Sequence, residues 1–141
     1  MTAHNLDNEQ LFTILSDAQT IAVVGASSRP EKPSHSIMKV LQEHGYHVIP
    51  VNPNEESVLG EKAWPSLQSV PASVDIVNVF RRSEATPPIA DDAVKIGAKA
   101  LWLQKGISNE EAAQTAEEGG LEVIMDNCIA VTLKTLRVPE K

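Results

Sequence analysis

Apolar positions along this chain alternate between helical spacing and short continuous runs. From roughly Asp7 to Ala18, Leu11, Ile14 and Leu15 recur at the three-to-four residue interval of an amphipathic helix. The run TIAVVG, Thr20 to Gly25, is short, apolar, β-branched and closed by glycine, which predicts a strand buried on both faces. A helix is expected from about Ser34 to His44, with Ile37, Met38, Val40 and Leu41 toward the core and Gly45 at a left-handed end. Tyr46 to Val51 predicts a second strand. The polar segment Asn52 to Lys62 holds at most one helical turn, and Ala63-Trp64 predicts a short edge strand before Pro65. Asp75 to Val79 predicts the next buried strand. Thr86 then caps a helix whose first position is Pro87 and which runs to Ile96, stopping at Gly97. Ala100 to Leu103 predicts another strand. Ser108 and Glu111 form a capping box for a helix ending at Gly119-Gly120. Leu121 to Ile124 predicts the last strand, followed by Met125 to Cys128 and a tail with no assigned element.

Strand and helix in strict alternation, joined by right-handed crossovers, make a mostly parallel sheet covered on both faces. The expected fold is α/β, doubly wound, Rossmann-like and three-layered, with residues 1–141 forming a single domain. Ligands of such sheets bind outside the carboxyl ends of the strands, where strand order reverses. The search for function therefore narrows to the short windows that follow each strand.

Composition removes several function classes. A net charge of -7 disfavours a nucleic-acid partner, because phosphate backbones attract basic surfaces. It leaves room for a small anion held by local donors. No apolar run reaches the roughly 18 residues of a membrane span, and the opening MTAHNLDNEQ lacks the regions of a signal peptide. One cysteine, Cys128, permits no intramolecular disulfide and suits a reducing cytoplasm.

The windows carry the candidate chemistry. After the first strand come Gly25, Ala26, Ser27, Ser28, Arg29, Lys32 and Ser34, a turn that leads into a helix start. Exposed amides, hydroxyls and two cations there suit a phosphate, although Ser34 alone would be explained by helix capping. The dinucleotide fingerprint is absent: its later glycines would fall at Ser27 and Pro30. The second strand ends at Val51, Asn52, Pro53 and Asn54, with no acid to grip a ribose, which disfavours NAD. Asn-Pro there suits an adenine edge or an ordinary turn. Val79, Phe80, Arg81 and Arg82 follow the third buried strand, and guanidinium groups suit phosphate unless these are merely surface arginines. Gln104 and Gly106 follow the next, and Asp126, Asn127 and Cys128 the last.

Taken together, IAVVGASSRPEKPSHSIMKVLQEHGYHVIPVNPN, VDIVNVFRRSEA, AKALWLQKGI and EVIMDNCIAV resemble the CoA-binding domain family. Its stand-alone members are relatives of the N-terminal domain of the succinyl-CoA synthetase α subunit, and the likeness covers most of residues 20–131. The resemblance implies that coenzyme A is the cofactor. It sets Gly25, Ala26, Ser27 and Ser28 at the pyrophosphate, and Val51, Asn52 and Pro53 near the adenine. It sets Val79, Phe80 and Arg81 in mid-groove, and Gln104 with Gly106 beside the pantetheine. Relatives often carry a basic residue shortly after the second strand, whereas this chain has Asn54, Glu55 and Glu56. Charge for the 3′-phosphate of CoA then falls to Arg29, Lys32 or Arg81. The synthetase's second domain, with its phosphorylated histidine, has no counterpart, so ligase activity does not carry over.

The residues supply little for catalysis. His4 lies at the start of the chain, His44 and His47 flank Gly45 at the edge away from the cleft, and His35 is a helix-start residue. No cluster has metal spacing. Cys128 either packs as a structural cysteine or approaches the cleft closely enough for a mixed disulfide with a CoA thiol. Asp126 is a lone acid. The expected function is non-catalytic binding of CoA or acyl-CoA, with a homodimer or an unidentified protein partner left open. The alternatives are a nicotinamide-dependent oxidoreductase with an atypical phosphate loop and a nucleotide-independent interaction module.

Overall fold

The structure is a computed structural model and describes residues 6–141. Helix α1 (Asn8–Asp17) starts at Asp7, whose carboxylate accepts from the Gln10 amide while the Gln10 side chain accepts from the Asp7 amide. That reciprocal pairing satisfies two exposed donors. There follow β1 (Thr20–Val24), α2 (Pro33–Glu43), β2 (His47–Val51), β3 (Ser57–Val58), β4 (Glu61–Lys62) and β5 (Ile76–Val79). The chain continues through α3 (Thr86–Lys95), β6 (Ala100–Leu103), α4 (Glu110–Glu118), β7 (Glu122–Ile124) and α5 (Ile129–Thr135).

Five strands form one parallel sheet in the order β2-β1-β5-β6-β7. The chain winds outward from β1 to β2, then returns to pair β5 on the other side of β1. The order thus reverses between β1 and β5, the switch point of a doubly wound sheet. Register keeps the strand ends level: Val24 pairs with both Val51 and Val79, and Val79 with Leu103. Gly25, Asn52, Phe80 and Gln104 therefore emerge along one edge.

Alternation of side chains divides the core between two faces. Ile21, Val23, Ile76 and Trp102 point to the face covered by α1, α2 and α5. Ala22, Val77, Leu101 and Leu103 point to the face covered by α3 and α4. The second face is built from small residues, with Ala90 and Ala93 meeting Ala112, Ala113 and Ala116. The approach is close enough that a Cβ on Gly119 would sit 2.5 Å from a Val94 methyl.

Several local expectations are corrected. Val40 is 39% exposed and does not face the core, because Met38 and Leu41 already fill that side of α2. Residues 57–62 form a hairpin rather than a helical turn. Leu59 and Gly60 both take positive φ, the geometry of a two-residue hairpin loop. The expected edge strand is reduced to one bridge, in which Trp64 pairs in parallel with Val51. Thr86 does not cap α3 from outside. It is the first residue of the helix, and its hydroxyl donates to the Ser83 carbonyl of a preceding 3₁₀ turn, Ser83–Ala85. Helix α4 is capped by Asn109, whose side chain accepts from the Ala112 amide, and Ser108 is not its cap. The unassigned tail contains α5.

Candidate functional site

A cavity of about 960 Å³ opens at the carboxyl edge of the sheet. Its walls come from the β1–α2 loop, the turns after β5 and β6, and the start of α5. Nine of the expected residues line it: Gly25, Ser27, Lys32, Ser34 and Asn52 on one side, Phe80, Arg81, Gln104 and Gly106 on the other. The other seven do not. Val51 and Val79 are buried in the strand ends, Ala26 is buried in the loop after β1, Asn54 is exposed, and Pro53 lines a smaller cavity of about 180 Å³ with Val51 and Arg81. Arg29 points outward and pairs with Glu31 at 2.7 Å. Ser28 lies outside the cavity wall, and its amide donates to the Glu55 carboxylate at 2.9 Å.

The β1–α2 loop is set by Gly25 and by what grips it. Gly25 has φ +90°, and its amide donates to the Val51 carbonyl. Asn52 is a brace: its Nδ2 donates to the Ala26 carbonyl at 2.8 Å and its Oδ1 accepts from the Asn54 amide. Glu55 adds a second tie through Ser28, and that hydrogen bond holds its carboxyl below the usual carboxylate range. The Ser27 hydroxyl accepts from the Arg29 amide. Helix α2 then begins with Pro33 in its first turn and no side-chain cap at Lys32. Its leading amides open beside Ser34, which is the second helical residue rather than the cap. Uncapped helix amides are anion donors.

Charge inside the cavity opposes that of the whole molecule. Lys32, Arg81, Arg82 and Lys105 line it against one acid, Glu84, which pairs loosely with Arg82 at 3.7 Å. Lys32, Arg81 and Lys105 have no carboxylate partner among the described residues. A chain of net charge -7 thus concentrates cations around one concave site.

Of the polar groups that build the far wall, the sequence singles out Gln104 and Asp126, and strand patterning hides Asn78. Asn78, in the middle of β5, is fully buried and donates from Nδ2 to the Trp102 carbonyl and to Gln104 Oε1. Gln104 Oε1 also accepts from the Ile129 amide at 3.2 Å, tying the β6 turn to α5. Asp126 takes φ +53° and accepts from the Gly106 amide at 2.6 Å, so the lone acid is a brace for that turn. Cys128 and Val131 complete this wall. Val131 was hidden because α5 was not assigned. His44 and His47 sit at the opposite edge of the sheet, by the start of β2; His4 lies outside the described residues. No group of three or more potential metal ligands occurs among the described residues.

Comparison with known proteins fits this geometry. Residues 19–134 match the family model described as CoA binding domain. The chain is 46% identical over 127 residues to the uncharacterized protein YneT of Bacillus subtilis, covering 90% of this chain and 94% of that one. It is 30% identical over 122 residues to the ADP-forming acetate–CoA ligase II subunit alpha of Pyrococcus furiosus. That match spans 79% of this chain but only 27% of the ligase subunit. Among solved structures, a hypothetical protein from Pyrococcus horikoshii OT3 superposes with a TM-score of 0.93 at 38% identity. The match covers 95% of this chain and 94% of that one.

Proposed function

This chain belongs to the CoA-binding domain family, and from that premise we propose that it is a single-domain, non-catalytic binder of coenzyme A or an acyl-CoA. The observation that carries the reading is the uncapped start of α2 opening into a cavity lined by unpaired cations. Helix amides and guanidinium or ammonium groups together suit a pyrophosphate. Gly25 and Ser27 lie where the diphosphate would meet the loop. The smaller cavity, where Val51 and Pro53 give an apolar wall beside Arg81 and Asp92, suits the adenosine end. Gln104 and Gly106 stand where the pantetheine arm would run. Asn52 braces the loop with one Nδ2 hydrogen and one Oδ1 lone pair, and its second donor and second lone pair remain for the adenine.

The non-catalytic reading rests on how the candidate acid and base are used. The Asp126 carboxylate is engaged by the Gly106 amide, and His44 Nε2 lies 3.1 Å from the Pro139 carbonyl at the far edge. No helix among the described residues is long and apolar enough to cross a membrane. A reducing cytoplasm suits the free thiol of Cys128.

Parallel calorimetric titrations with CoA, dephospho-CoA and NAD test the proposal. Saturable CoA binding, weaker dephospho-CoA and no heat from NAD are expected. Binding of NAD in preference to CoA would overturn it and direct attention to a redox substrate.

A further inference from the structure

Cys128 occupies the turn between β7 and α5, is half-buried and lines the cavity. The residues beside it are tied down. The Asn127 amide donates to the Leu103 carbonyl, Trp102 Nε1 donates to the Asn127 carbonyl at 2.8 Å, and the Ile129 amide donates to Gln104 Oε1. The thiol itself has no hydrogen-bond partner among the described residues.

A second feature marks the same wall as made for a ligand. Gln104 is only 5% exposed, and its oxygen accepts from both Asn78 and Ile129. Its nitrogen has no partner among the described residues. The sealed, unpartnered side-chain atoms among the described residues are Ser16 Oγ and Asn78 Oδ1, so Gln104 Nε2 borders open volume instead. A nearly buried carboxamide that turns its unpaired donor toward the cavity keeps that donor for an acceptor entering there. The same cavity is thus lined by an amide donor, anchored through Asn78 and Ile129, and by the thiol of the residue preceding Ile129. An arm that carries amide carbonyls and ends in sulfur complements both.

On the reading that the site holds CoA, we propose that Cys128 is a thiol–disulfide exchange site that captures the sulfur of a CoA disulfide bound in the cavity. The Cys128 thiolate attacks the CoA sulfur of a mixed or symmetric CoA disulfide. A new bond forms between Cys128 Sγ and that sulfur, and the incoming disulfide bond breaks. The other thiol departs with the electron pair and takes a proton from water. The incoming disulfide supplies the oxidising equivalents, so no further oxidant enters. The product holds CoA covalently and is released by a reducing thiol.

The test uses the whole protein with the symmetric CoA disulfide or glutathione disulfide at equal concentration, followed by intact mass. Cys128 is the only cysteine in the chain, so any disulfide adduct reports on it. The methyl thioether of CoA, which cannot exchange, serves as competitor, and its own affinity is measured by calorimetry. The CoA adduct is expected to form about tenfold faster or more than the glutathione adduct, because binding positions the sulfur. Saturating thioether is expected to slow it to the glutathione rate. Equal rates for the two disulfides, with a thioether that binds, overturn the exchange site and leave CoA binding standing. Equal rates with a thioether that does not bind overturn both. A fast CoA reaction that bound thioether fails to slow also overturns the proposal, since the capture then occurs outside the cavity.

Discussion

Gly25 answers two demands at once. Its φ of +90° is one that other residues adopt only under strain, and a Cβ there would lie 2.6 Å from the Phe80 carbonyl oxygen. That oxygen belongs to backbone and cannot swing aside. Gly25→Ala is therefore expected to cost at least about 1 kcal/mol of stability, beyond the ordinary loss for alanine at positive φ. Urea denaturation measures it, and an unchanged midpoint would show that the loop relaxes freely. Arg81 raises a different question, since it borders both the main cavity and the smaller one beside Val51 and Pro53. If it meets the 3′-phosphate of CoA, Arg81→Ala weakens CoA by roughly tenfold, the scale of one charged hydrogen bond, and dephospho-CoA by less. Calorimetry with both ligands decides this. Equal losses would set Arg81 against a part that the two ligands share.

At the scale of elements, the start of α4 separates two capping residues that neighbour one another in sequence. Ser108 was the apparent cap, yet Asn109 accepts the Ala112 amide and also donates from Nδ2 to the Ser83 carbonyl. Asn109→Ala is expected to lose about 1 kcal/mol or somewhat more, while Ser108→Ala stays within about 0.5 kcal/mol. Thermal unfolding of the two variants compares them, and the reverse order would restore Ser108 as the cap. The same contrast explains what was legible in the sequence. The five sheet strands showed themselves because short continuous apolar runs ending in glycine or a polar turn have few other uses. The β1–α2 loop was legible for a similar reason, as glycine, hydroxyls and proline cluster only where a chain turns and restarts. Helix α5 escaped because Ile129, Val131 and Thr132 are weak helix formers, and the helix is held instead by the packing of Ile129 and Leu133. Strands β3 and β4 were too short for periodicity to register. Gln104 was legible as a polar residue at a strand end, whereas Asn78 reads as an interior strand residue, since its hydrogen bond to Gln104 joins segments 26 residues apart.

Across the whole molecule, the sheet separates the edge that carries the cavity from a stabilising clasp at the other end. Tyr46 is buried there with its hydroxyl donating to the Leu15 carbonyl at 2.5 Å. The His44 ring stacks on it at 5.7 Å, and the Lys141 ammonium lies 5.1 Å from its centroid. The Lys141 amide also donates to the His44 carbonyl, and its Nζ to the Ser16 carbonyl. Burial pushes the Tyr46 hydroxyl from an ordinary 10.0 up to about 12. The folded state holds this proton more tightly than the unfolded chain, so its contribution to stability is complete below pH 10. It then falls as pH rises toward about 12. Denaturant midpoints measured across this range are expected to drop steeply. Tyr46→Phe keeps the ring against His44 and Lys141 but removes the ionisable hydroxyl. That variant is expected to start lower at neutral pH, having lost the bond to Leu15, and to show a shallower alkaline decline. An equally steep decline in the variant would assign the alkaline loss to groups other than Tyr46.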